Sequence, residues 1–182
     1  METLKAFHND VAVKKKYIKR VKAHRIADKL IKGKTWENGK GCAIGCTLEA
    51  YDHSLYPIEL GIPEMIARFE DCIFEGLPNG KSQEWPERFL KAINVGADLS
   101  RVGPKMLLAI VKRRHESLDT KGKALVGSAI EQVIKVLADW VEFGKVDIKA
   151  AKQLMIFESA AEYKWMYEWM ADKLIELIKK CK

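Results

Sequence analysis

Apolar residues in this chain recur at three- and four-residue spacing between glycine and proline stops, and strand-like alternation is scarce. That period admits helices and little else. Asn9 or Asp10 caps a first helix expected to run to Ile31 and to be closed by Gly33. KGKTWENGKG follows as a loop. Short helices are expected over 42–48 and 54–60, the second stopped by Gly61. Pro63 suits the first position of the next helix, which Gly76 ends. LPNGKSQ reads as a turn, and Trp85-Pro86-Glu87 opens a helix to Ile93. Further helices are expected from Gly103-Pro104 to about Leu118, then to Phe143-Gly144, then from a cap at Asp147, and finally through Ile178. Seven to nine helices joined by short connections give an all-α fold, a single-domain irregular orthogonal bundle over residues 1–182.

The chain is long enough, at 182 residues, to bury a core without disulfide staples. Its four cysteines, at 42, 46, 72 and 181, therefore read as reduced thiols. No apolar run approaches the length that spans a bilayer, and the first residues lack the apolar stretch of a secretion signal. A cytoplasmic protein without membrane contact is the expectation.

Charge is distributed unevenly. Residues 1–40 hold twelve Lys or Arg against four Asp or Glu, whereas the whole chain carries +7. The excess positive charge therefore falls in the first fifth of the chain, on the helix at about 10–32. At 100° per residue, Val13, Tyr17, Val21, His24, Asp28 and Ile31 share one side of that helix. Lys14, Lys15, Lys19, Lys22, Arg25, Lys29 and Lys32 fall mostly on the other and are the candidate contacts to phosphates or to an acidic protein. The plainer alternative is the solvated face of an amphipathic helix. Lys112, Arg113, Arg114 and His115 form a second basic knot in the last turns of a helix, where cations also complement the dipole.

His24 and Asp28 lie one turn apart on the apolar side, a spacing that lets a carboxylate orient an imidazole for metal binding or base catalysis. The same pair also satisfies a buried histidine with no chemistry at all. Cys42 and Cys46 would share a helix face, with His53 seven residues on. His24, Cys42, Cys46 and His53 could supply four zinc ligands, and His24, Asp28 and Cys42 could serve a thiol-dependent enzyme. Against both stands packing: Gly41, Cys42, Ala43, Gly45 and Cys46 are small, and free cysteine behaves as a small apolar group. Glu70, Asp71 and Glu75 read as the wet side of a helix whose buried stripe is Ile66, Phe69, Cys72 and Ile73. Trp165 and Trp169, with Tyr163, Met166 and Met170, mark the last helix as central in the core or as a surface for homo-oligomer assembly.

No HExxH, phosphate-binding loop, nucleophile elbow or EF-hand loop occurs in the sequence. HRIADKLIKG, GKGCAIGCTL, ELGIP, ARFEDCIFEGLPNG, WPERFL and VGADLS, within residues 24 to 100, together resemble an uncharacterised family of small bacterial and phage helical proteins. That resemblance carries no activity and no catalytic residue. Its context implies stoichiometric action on host machinery, of which anti-CRISPR inhibitors are one kind. The sequence as a whole favours a non-enzymatic protein that binds a nucleic acid or nucleoprotein without a cofactor, with a metal- or thiol-dependent enzyme as the alternative.

Overall fold

A computed structural model describes residues 4–144 and 164–182. Among them the chain is all-α. Helices α1 (Val11–Ile26), α2 (Ala43–Leu48), α3 (Leu55–Leu60), α4 (Glu64–Gly76), α5 (Asn79–Ala92), α6 (Val102–Ser117), α7 (Thr120–Phe143) and α8 (Lys164–Lys179) are accompanied by a 3-10 turn at Ala6–Asn9. A two-residue antiparallel ribbon pairs β1 (Trp36–Glu37) with β2 (Lys40–Gly41). The chain divides into two compact units, residues 1–100 with 163–182, and residues 101–162. Asp147 and Tyr163 lie outside the described residues, as does the side chain of Trp165. No helix among the described residues is long and apolar enough to cross a membrane.

In the first unit, Asp10 caps α1 as expected, its carboxylate accepting from the Ala12 N–H at 2.7 Å. The helix stops at Ile26, short of the expected Ile31. Asp28 turns into the left-handed region (φ 51°), and the next residues pair with β2 instead. The Ile31 N–H donates to the Gly41 carbonyl at 2.8 Å, and the Gly41 N–H to Lys29 at 3.0 Å. A backbone donor committed to that bridge is lost to a helical ladder.

Helix α5 departs from expectation in the other direction. It begins at Asn79 rather than Trp85, so part of the expected turn is helical and Pro86 sits inside the helix. Lacking an N–H, Pro86 forgoes the bond to the Ser82 carbonyl. It is buried beside Trp85, Phe89 and Leu90, and that apolar burial offsets the missing bond.

Helix α4 is rotated relative to the expected stripe. It buries Ile66, Ala67, Glu70, Asp71, Ile73 and Phe74, while Cys72 is exposed and Phe69 half-buried. The buried arc runs from Ile66 and Ile73 to Ala67 and Phe74, with Glu70 at its centre and Asp71 just beyond its edge, rather than through Phe69 and Cys72. Two acids expected in water are therefore in the core. The Tyr56 hydroxyl donates to Glu70 Oε2 at 3.3 Å, and the Trp85 indole N–H donates to the Glu70 backbone carbonyl at 2.9 Å. Helix α8 packs on α4 and α5 with Met166, Met170, Ala171, Leu174, Ile175 and Ile178 buried, and Trp169 is half-buried.

The glycines around α2 are sites of close approach. A Cβ at Gly41 would stand 2.0 Å from the Thr35 carbonyl oxygen, and one at Gly45 2.2 Å from the same atom. Residues 41–47 are all buried.

The second unit pairs α6 with α7. Asp119 caps α7 by accepting from the Gly122 N–H at 2.7 Å, and Gly144 (φ 71°) ends it. Arg101 donates to the Trp140 carbonyl at 2.9 Å, and His115 lies 3.7 Å from Glu131.

Replacing Gly45 by Ala should lower stability by about 1–3 kcal/mol, because backbone rather than a flexible side chain must move. Gly80→Ala in α5, where a Cβ meets open space, should leave stability unchanged or raise it by up to about 1 kcal/mol. Urea midpoints of the two variants check the contrast.

Candidate functional site

The cations of the first forty residues divide by what they touch. Lys14 Nζ donates to the carbonyls of Lys91 at 3.0 Å and Ile93 at 2.5 Å, at the end of α5. Partial burial lowers its pKa. Arg20 Nη1 donates to the Thr47 carbonyl in the last turn of α2 at 2.9 Å, and its Nη2 lies 3.4 Å from Glu49. Lys32 Nζ donates to the Leu77 carbonyl just past α4. Each cation meets carbonyls that a helix end leaves without intrahelical donors, where the macrodipole also favours positive charge. Arg25 instead pairs with the buried Glu87 of α5 at 2.9 Å.

Lys14, Arg25 and Lys32 thus belong to the scaffold. Lys15, Lys19 and Lys22 are exposed and have no ion-pair or hydrogen-bond partner among the described residues. Their spacing sets them along one stripe of α1. Lys29 likewise has no ion-pair partner there. Beside the stripe opens a groove of about 520 Å³ lined by Lys16, Lys19, Arg20, His24, Lys29 and Glu49, with Ala23 and Ala27 adding small side chains.

The expected His24–Asp28 pair does not form. Asp28 lies beyond the end of α1 in a left-handed conformation and is exposed. His24 turns to Glu49, with Nε2 3.4 Å from Oε1, and its ring meets Trp36 edge-on at 5.5 Å. The four expected zinc ligands are likewise dispersed. Cys46 Sγ faces the carbonyls of Lys29 and Gly41, each at 3.4 Å. His53 Nε2 lies 3.2 Å from Asp71 Oδ2. The enzyme set of His24, Asp28 and Cys42 is joined by no hydrogen bond or ion pair among the described residues.

Cys42 keeps different company. As the N-cap of α2 it brings its sulfur to Asp71 and Glu75, and the three ligand atoms lie within 4.8 Å of one another. Burial and then the Asp71 carboxylate push the Cys42 thiol well up, outweighing the Gly45 N–H that would favour a thiolate. Burial pushes the Cys46 thiol up to about 12. A nucleophilic cysteine needs the reverse shift. Burial, then Asp71, also raise Glu70 well above its ordinary range, and burial raises Glu75. Sequence reasoning missed Asp71 and Glu75 as partners of Cys42. The one usable signal was their four-residue spacing, which sets both on one face of α4.

Comparison with protein-family models, with curated proteins and with solved structures finds no match for this chain.

Alkylation of the native protein by iodoacetamide should modify Cys72 first, with Cys42 and Cys46 reacting only after denaturation; peptide mass spectrometry gives the order. The Arg25–Glu87–Lys91 cluster predicts a pH signature. Lys91, then Arg25, hold the Glu87 carboxyl below its ordinary 4.5 against the opposing effect of burial. Its contribution is therefore fully present above 4.5 and lost as pH falls through the depressed folded value. Glu87→Gln should cost about 1–3 kcal/mol at neutral pH. That cost should shrink on acidification, as followed by urea unfolding.

Proposed function

We propose that this protein is a non-enzymatic interaction protein that binds a nucleic acid or nucleoprotein through the outer stripe of α1. One observation carries the reading. After the fold has engaged Lys14, Arg20, Arg25 and Lys32, the cations at Lys15, Lys19 and Lys22 remain exposed and unneutralised among the described residues. The seven-residue step from Lys15 to Lys22 sets them along about 10 Å of axis. The flanking groove adds Lys16, Arg20 and Lys29, with Glu49 as its acidic member. Such a surface grips phosphates by charge and counterion release, without reading sequence.

Fluorescence anisotropy with a labelled duplex and a labelled single strand tests it. The Lys15→Glu, Lys19→Glu, Lys22→Glu variant should lose most affinity, and about three units of salt slope should disappear from log K against log salt. A charge-matched reversal of Lys173 and Lys179 on α8 and Lys180 just past it should bind far better. Equal loss in both variants, or no binding by the parent protein, contradicts the proposal.

A further inference from the structure

We propose that Cys42, Asp71 and Glu75 form a binding site for a divalent transition-metal ion of the zinc class. The sulfur and one oxygen from each carboxylate already lie within 4.8 Å of one another. Ligands at tetrahedral zinc distances stand roughly 3.3–3.8 Å apart, so rotations that draw the atoms in by about an ångström complete the geometry.

The placement is built from three directions. Cys42 is fixed at the start of α2 by its N–H bonds to the Lys34 and Thr35 carbonyls, at 2.6 and 3.1 Å. Asp71 and Glu75 descend one face of α4. The Gly33 N–H donates to Glu75 Oε2 at 2.8 Å, orienting that carboxylate. His53 holds Asp71 Oδ2 at 3.2 Å, the outer-layer contact that metal-binding carboxylates commonly have.

A second observation is independent of the clustering. Asp71 is only 9% exposed, and its other oxygen, Oδ1, is buried with no hydrogen-bond partner. An orphaned buried carboxylate oxygen is costly, and a bound cation removes that cost. The carboxylate carrying it faces the Cys42 thiol. Thiolate with carboxylates selects a borderline-soft ion over magnesium or calcium. Three protein ligands leave the fourth position open to water or an exogenous ligand. Exposed Glu75 marks the way in.

Binding displaces the thiol proton, so uptake should release protons to the buffer. The test treats the full chain with chelator and titrates it with zinc by calorimetry and, separately, with cobalt(II) by absorbance. One equivalent should bind, with a thiolate-to-cobalt charge-transfer band. Cys42→Ser should abolish the band, and Asp71→Asn and Glu75→Gln should each weaken zinc at least tenfold. Cys46→Ser and His24→Ala should leave affinity unchanged. Glu75 is exposed, so Glu75→Gln remains informative if a core variant fails to fold, as judged by circular dichroism. Absence of stoichiometric binding or of the band in the parent protein overturns the site. So does full affinity in Glu75→Gln, or loss of binding in Cys46→Ser.

Discussion

The carbonyls left open at helix ends are the constraint around which the first unit is organised. Short helices expose many such groups relative to their length, and α2 has only six residues. Arg20 answers α2, Lys32 answers α4 and Lys14 answers α5, all from one basic segment. In the second unit, Arg101 does the same for α7. The concentration of positive charge near the amino terminus is therefore partly architectural. Cations there connect elements distant in sequence, as Lys14 does across 79 residues to Ile93.

A complementary constraint acts in the interior. Helix α4 brings Glu70 and Asp71 into a core that already holds Cys42 and Tyr56. Burial, and then the neighbouring carboxylates, favour the protonated forms of Glu70, Cys42 and Tyr56. A region kept acidic inside a molecule of net charge +7 stands out from its surroundings. The basic outer stripe of α1 and the acidic interior beside Cys42 thus present different chemistry in the same unit.

Much of the fold was legible in the sequence because helix period and punctuation act locally. Asp10, Gly61 and Gly144 cap or stop helices where their chemistry places them. The failures were non-local. The end of α1 at Ile26 is decided by pairing with Gly41, which no local signal reports. Pro86 reads as a helix start until the burial of its neighbours is known. The rotation of α4 was lost because Glu70 and Asp71 were assigned to water on polarity alone, although Glu70 stands at the centre of the Ile66, Ala67, Ile73 and Phe74 arc and Asp71 beside it. For the candidate surfaces, the sequence displayed the cations but not which carbonyls would engage them. It paired Cys42 with Cys46 and the histidines by proximity along the chain, whereas folding brings Asp71 and Glu75 to it from a helix some thirty residues on.

The division of labour along α1, inner cations holding helix ends and outer ones facing solvent, is most directly tested by amide chemical-shift mapping during titration with a short DNA duplex. Shifts should cluster at Lys15, Lys19, Lys22, Ala23 and Lys29 and fade as salt is raised, with the amides of α8 and of the α6–α7 pair unmoved. Shifts centred elsewhere, or none at low salt, would contradict it.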